Sequence, residues 1–239
     1  MVPDTLIKKN KLIRFDHNLT KTLSNYYLIG IDEVGRGALA GPVIACAFTW
    51  NDEINWKEIK KSYGLLQRLN DSKQLKASDR NELFDLLSTI GSCGIGYASV
   101  LEIERLNVLN ATFLAMKRAF DTLMLKLKKA KKQKPYLLID GNKFNPYINC
   151  LQVPIIAGDA KSSAIASASI IAKVYRDMLM RKISKIEKYK YFIWDRNVGY
   201  GTKAHITAIK KIGLTPFHRK LFVRKIFSLE EKLQVSLKD

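Results

Sequence analysis

Asp32 and Glu33 end one apolar run, Tyr27-Leu28-Ile29-Gly30-Ile31, and Asp140 ends another, Tyr136-Leu137-Leu138-Ile139. Asp159 follows Pro154-Ile155-Ile156-Ala157-Gly158. A carboxylate at the tip of a buried strand loses hydration and needs something in its place. Several such groups together repel unless a divalent cation sits among them. Hard oxygen ligands of this kind suit Mg²⁺ or Mn²⁺. The chain carries 41 Lys+Arg against 22 Asp+Glu, a net charge of +19, which favours a polyanionic partner. Acids gathered against a positive surface point to metal-assisted attack on a phosphodiester, with Asp32, Glu33, Asp140 and Asp159 as candidate catalytic residues and metal ligands.

Each candidate has a plainer alternative. Adjacent strand residues face opposite sides, so Asp32 and Glu33 serve one site only where the strand ends or twists. Asp140 reaches the same cation as Asp32 if their two strands are neighbours. Asp159 is as well placed to cap the helix after it as to bind metal. The glycines around Arg36 (Gly35, Gly37) let backbone approach a ligand closely. Gly35-Arg36-Gly37-Ala38-Leu39-Ala40 also fits a dinucleotide fingerprint, but that motif must open a helix, and Pro42 with its apolar successors reads as a returning strand. Ser72 and Lys73 in Asp71-Ser72-Lys73, and Lys161 after Asp159, are candidate substrate contacts or solvated surface groups. Tyr200, between Gly199 and Gly201, either stacks on a sugar or base or packs on the core. His205 reads as structural rather than as a general base. No Ser-His-Asp arrangement, zinc spacing or Walker loop is visible.

The elements that must position these residues follow from periodicity. Residues 27–31 and 42–50 read as strands joined by a glycine turn, residues 92–100 as a third, and 136–140 and 148–155 as two more. Ser78 is a candidate cap for a helix whose apolar face is Leu83, Leu86, Leu87 and Ile90. Residues 102–129 show helical spacing through Leu106, Leu109, Phe113, Met116, Phe120 and Leu123. Residues 159–187 read as one long helix rich in small residues, which let it pack close to a sheet. A shorter helix spans 202–212, and Thr215-Pro216 begins a last one. Residues 1–24 are polar and aperiodic and read as a loosely held extension. Residues 25–213 form the main domain and 214–239 a helical segment and tail. The fold class is α/β with a mixed sheet.

Composition narrows the setting. No apolar run approaches the roughly 20 residues of a membrane span, and the N-terminus lacks a signal-peptide stretch. Cys46, Cys93 and Cys150 are scattered and odd in number, so buried reduced thiols and a cytoplasmic location are expected.

Taken together the motifs resemble the type 2 ribonuclease H family, ribonuclease HII. The likeness runs from about Leu28 to Phe222. It includes Gly30-Ile31-Asp32-Glu33-Val34-Gly35-Arg36-Gly37, Asp71-Ser72-Lys73, Asn107-Val108-Leu109-Asn110-Ala111-Thr112, Ile139-Asp140-Gly141-Asn142, Gly158-Asp159-Ala160-Lys161-Ser162, the run Ala168 to Asp177, and Gly199-Tyr200-Gly201-Thr202 with His205. The resemblance implies a ribonuclease H-like fold with a mixed five-stranded sheet flanked by helices and a C-terminal helical appendage. It implies an endoribonuclease acting on RNA–DNA hybrids and on DNA containing ribonucleotides, with Asp32, Glu33, Asp140 and Asp159 holding two divalent ions. It also implies a Gly35-Arg36-Gly37 backbone that senses a ribose 2′-OH, a Tyr200 that packs on the neighbouring deoxyribose, and a monomer. Two positions depart from the usual pattern: Ala157 stands where many members carry lysine, and Asn197-Val198 where His-Lys is common. Val235-Ser236-Leu237 in the tail is too short a signal to assign a sliding-clamp partner.

Overall fold

The computed structural model describes residues 2–70, 75–127 and 133–224. Five strands form one mixed sheet: β1 (Tyr26–Val34), β2 (Val43–Trp50), β3 (Gly91–Ala98), β4 (Lys134–Asp140) and β5 (Gln152–Ile155), in the order β3-β2-β1-β4-β5. β1 runs antiparallel to β2 and parallel to β4, and β4 runs parallel to β5. The near-continuous apolar runs of β1 and β2 are those of strands covered on both faces. The α-helices accompanying them are α1 (Asp4–Lys9), α2 (Lys11–Thr22), α3 (Tyr63–Gln67), α4 (Ala77–Ile90), α5 (Val100–Lys126), α6 (Ser163–Ser184), α7 (Trp194–Asn197) and α8 (Lys203–Ile212), and residues 220–224 are helical too.

The chain divides into two compact units. The first comprises Met1–Val34, Ile44–Tyr97 and Thr112–Tyr175, and the second Gly35–Val43, Ala98–Ala111 and Arg176–Asp239. In the first, the small residues opening α6 lie directly on β1: a Cβ at Gly30 would come within 2.1 Å of the Ala164 backbone. Gly30 is thus required by close approach, two residues before Asp32. A core of Leu12, Ile13, Phe48, Leu66, Leu83, Leu87, Ala168 and Ile171 joins α2, β2, α3, α4 and α6. The second unit is built around Phe192 and Trp194, with rings 5.2 Å apart and stacked, beside Tyr189 and Phe217.

Several expectations are corrected. The extension expected to be loose contains α1 and α2, with Leu6, Leu12 and Ile13 buried. Asn10 fixes it. Its Oδ1 accepts from the N–H groups of Leu12 and Ile13, capping α2, and its Nδ2 donates to the carbonyls of Leu66, Gln67 and Leu69. α5 is interrupted at Asn107 (φ 67°), whose side chain accepts from the N–H groups of Leu109 and Asn110 and restarts the helix. The spacing of apolar residues passes through such a break unaltered. α4 is preceded by Lys76, so Ser78 lies inside the helix. β5 is shorter than residues 148–155 because Asn145 and Gln152 tie the preceding segment into a loop. Of the cysteines only Cys46 is buried; Cys93 and Cys150 are half-buried, and all three are free thiols. No described helix is long and apolar enough to cross a membrane.

Candidate active site

The acidic residues lie in the first unit. Ile31 of β1 faces Ile139 of β4 in the parallel ladder, so Asp32 and Asp140 are the next residues out on neighbouring strands, whose axes lie about 4.8 Å apart. Asp32 is buried. Burial first, then the charges of Glu33 and Asp140, push its carboxyl well above the usual carboxylate range, opposed by a hydrogen bond with Ser169 of α6 and by the Glu33 N–H, which donates at 2.7 Å. Asp140 accepts the Gly158 N–H through Oδ1 at 2.7 Å. A Cβ at 158 would meet that same oxygen at 3.2 Å and Ile165 Cδ1 at 2.6 Å, which is why glycine stands there. Asp159 follows, buried in the single 3-10 turn Gly158–Ala160.

The expected long helix from Asp159 therefore starts later, at Ser163. Asp159 is not its cap: Ser162 Oγ accepts from the Ile165 N–H at 3.3 Å. Among the described residues, no group of three or more His, Cys, Asp or Glu side chains is arranged to hold a metal ion. The electrostatics gather Asp32, Glu33 and Asp140, and Asp159 is tied to them through the neighbouring Gly158 amide. The donor chemistry fits a hard divalent cation: the groups are all carboxylates, and a cation would offset both the burial and the added repulsion that drive Asp32 towards its protonated form.

The glycine loop and the tyrosine turn both belong to the second unit. Gly35 and Gly41 have φ of 92° and 85°, the left-handed region that glycine occupies without strain. Two arginines with no exposed surface hold the loop by its carbonyls. Arg176 donates to Ala40, Pro42 and Val198 at 3.0, 3.2 and 2.8 Å. Arg219 donates to Gly41 twice, at 2.9 and 2.7 Å, and to Arg36 at 2.9 Å. Arg36 and Gly37 themselves are exposed.

The turn at Tyr200 is bonded to this loop. The Gly199 carbonyl accepts from the Leu39 and Ala40 N–H groups at 2.8 and 3.1 Å. A side chain at 199 would strike the Ala40 carbonyl oxygen at 2.4 Å. The Arg176 guanidinium lies 5.4 Å from the Tyr200 ring centre. Asn197, one of the departures from the family pattern, builds the turn: it accepts from the Gly199 N–H and donates to the Phe192 carbonyl.

His205 is structural, as its sequence setting suggests. Its Nδ1 bonds the Tyr200 carbonyl at 2.9 Å, so that nitrogen carries the proton. Nε2 then accepts from Trp194 Nε1 at 3.0 Å and faces His218 Nε2 at 3.1 Å. His218 Nδ1 accepts from the Thr215 N–H at 2.9 Å, leaving its Nε2–H to donate to His205. Both rings are neutral in this network. Burial lowers both pKa values, and the neighbouring His205 helps bring His218 down to about 4. In the unfolded chain the ring titrates near about 6.5. The stabilisation that His218 contributes is therefore complete above that pH and lost as pH falls towards 4. An NMR titration of the imidazole carbons is expected to show His218 neutral at pH 5.5; a midpoint near the unfolded value contradicts the network.

Of the other sequence candidates, Lys161 is exposed two residues beyond Asp159, while Ser72 and Lys73 lie outside the described residues. Sequence reasoning missed Arg176 and Arg219 as supports of the loop. Arg176 sits inside the run Ala168 to Asp177 that carries part of the family likeness, but nothing in its type distinguishes a buried arginine bound to carbonyls from a surface one.

The fold is ribonuclease H-like. Among solved structures, the chain is similar to the ribonuclease HII of a PCNA:RNase HII complex from Archaeoglobus fulgidus, with a TM-score of 0.61, 22% identity, and 81% of this chain and 93% of that one covered. It is also similar to Bst-RNase HIII in complex with Mn²⁺, with a TM-score of 0.63, 17% identity, and 91% and 73% covered. These define the class by fold. The ribonuclease HII family description matches residues 29–228. The chain is 45% identical over 208 residues to the ribonuclease HII of Fusobacterium nucleatum subsp. nucleatum, covering 86% of this chain and 89% of that one. It is 44% identical over 193 residues to that of Paramagnetospirillum magneticum, covering 81% and 88%. The chain belongs to the ribonuclease HII family and is a ribonuclease H endonuclease.

Proposed function

We propose that this endonuclease hydrolyses the RNA strand of RNA–DNA hybrids and also incises duplex DNA on the 5′ side of an embedded ribonucleotide, leaving 5′-phosphate and 3′-hydroxyl ends. The observation that carries the reading is the placement of Asp32 and Asp140 on adjacent parallel strands, with Asp32 driven towards its acid form by burial and then by Glu33 and Asp140. Asp32 and Asp140 would be ligands shared by two Mg²⁺ or Mn²⁺ ions, completed by Glu33 and Asp159. Held by these four residues, such ions would supply activation of a water and stabilisation of the leaving 3′-oxygen. With that chemistry supplied, no histidine base is needed, and His205 and His218 are engaged elsewhere.

The remaining residues recognise substrate. The Gly35-Arg36-Gly37 backbone, held rigid by Arg219 through the Arg36 carbonyl, would read the 2′-OH. Tyr200, fixed on its turn by Asn197 and His205, would pack on the next deoxyribose. Lys161, and Ser72 and Lys73, would contact phosphates. We place the protein in the cytoplasm, in keeping with its free thiols, and take it as a monomer from the family resemblance.

Incubation with all-DNA, all-RNA, hybrid and single-ribonucleotide duplexes in Mg²⁺ or Mn²⁺ tests the reading. Cleavage of the last two alone is expected; hybrid binding without cleavage would overturn it. Tyr200→Ala is expected to lose more activity on the single ribonucleotide than on continuous RNA, by about tenfold if one stacking contact of 1–3 kcal/mol is removed. Equal losses on both substrates would remove Tyr200 from junction reading.

A further inference from the structure

Asp16 lies on α2, in the segment whose sequence carries no recognisable motif, and it is buried. Its Oδ2 accepts from Ser163 Oγ at 2.6 Å and from the Ala164 N–H at 2.8 Å, the first two residues of α6. Its Oδ1 has no hydrogen-bond partner among the described residues. Burial raises its carboxyl to about 6, against the hydrogen bonds that lower it. The carboxylate supplies the acceptor for the Ala164 N–H and the Ser163 hydroxyl, which an apolar side chain would leave unsatisfied. That capping by itself does not link Asp16 to the acidic site.

What Asp16 grips does. The turn carrying Asp159 runs straight into α6, with the Lys161 and Ser162 N–H groups donating to the Gly158 carbonyl at 2.9 and 2.8 Å. Ala164 is the residue pressed on β1 at Gly30, and Ser169, further along the same helix, hydrogen-bonds Asp32. The first turn of α6 thus sits between Asp159 on one side and the support of Asp32 on the other. α2 is itself anchored by Asn10 to three carbonyls of the segment 66–69.

We propose that Asp16 is a positioning residue for the acidic site: the N-terminal helix α2, through this one carboxylate, sets the first turn of α6 and with it the placement of Asp159 and of the Ser169–Asp32 contact. The inference rests on the reading of Asp32, Asp140 and Asp159 as the reacting acids. It makes the N-terminal segment part of the catalytic apparatus.

The test compares full-length parent, Asp16→Ala and Asp16→Asn by two readouts: amide hydrogen exchange without metal, and steady-state cleavage of a hybrid. Asp16→Ala is expected to speed exchange at residues 163–166 selectively. It should also lower kcat by about tenfold to a hundredfold, the usual scale for a group that orients a ligand, with KM for the hybrid unchanged. Asp16→Asn keeps an accepting oxygen and is expected to restore both. The proposal is overturned if exchange and kcat stay at parental values, if protection falls uniformly across the first unit, or if Asn is as impaired as Ala. A parent that does not cleave hybrids would refute the proposed function alone, and the exchange comparison would still decide the role of Asp16.

Discussion

Replacing Asp140 by Asn is expected to slow hybrid hydrolysis on the order of a thousandfold, about 4 kcal/mol of transition-state stabilisation, while making the metal-free protein more stable. The two effects share one cause. Burial first, then the charges of Glu33 and Asp140, hold the Asp32 carboxyl above its ordinary range. A group whose folded pKa is raised binds its proton more tightly folded than unfolded, so its ionisation costs stability as pH rises past the unfolded value. Removing the Asp140 charge relieves the part of that penalty that comes from Asp140, while burial and Glu33 remain. The Asn side chain keeps an oxygen for the Gly158 N–H, so local geometry persists. Single-turnover cleavage with Mg²⁺, together with thermal unfolding with and without the ion, reads both parts. A variant that cleaves as fast as the parent, or one still stabilised by Mg²⁺ to the parental extent, would remove Asp140 from the metal site.

Arg176→Ala is expected to destabilise the protein by about 3–5 kcal/mol, measured by urea unfolding. Three carbonyls, of Ala40, Pro42 and Val198, lose their donor, and each buried acceptor left unsatisfied costs about 1–3 kcal/mol. Relief of repulsion with Arg219, whose guanidinium Arg176 helps to shift down, offsets part of this. Arg176→Lys should rescue little, because a single ammonium cannot match a planar fork aimed at three carbonyls from two separate segments. Loss of activity on single-ribonucleotide substrates should accompany the destabilisation, since the Gly35 loop and the Tyr200 turn share this support. A loss below about 1 kcal/mol, the scale of one ordinary hydrogen bond, would show that the carbonyls find water instead and that the clamp is not what holds the loop.

The strands and most helices were legible in the chain because burial on both faces leaves continuous apolar runs and helix faces repeat with a fixed period. The misreadings have physical reasons. The N-terminal helices escaped notice because Asn10 and Asp16, polar residues suggestive of a solvated segment, make their bonds with residues about 56 and 147 positions away. The break at Asn107 left apolar spacing untouched. The helix after Asp159 looked continuous because a 3-10 turn and an α-helix share their first residues' composition, and only Ser162 acting as cap separates them.

Residue type alone determined which groups could do the chemistry here: acids at the tips of apolar runs in a chain of net charge +19 have few uses other than holding cations against a phosphate backbone. Tertiary structure decided which of them face one another. The pairing of β1 with β4 joins residues more than a hundred positions apart in the chain, and nothing local in either strand encodes its neighbour. The same holds for the arginines beneath the glycine loop. Their partners are backbone carbonyls, which every residue possesses, so the contact leaves no trace in residue identity and exists only once the chain has folded.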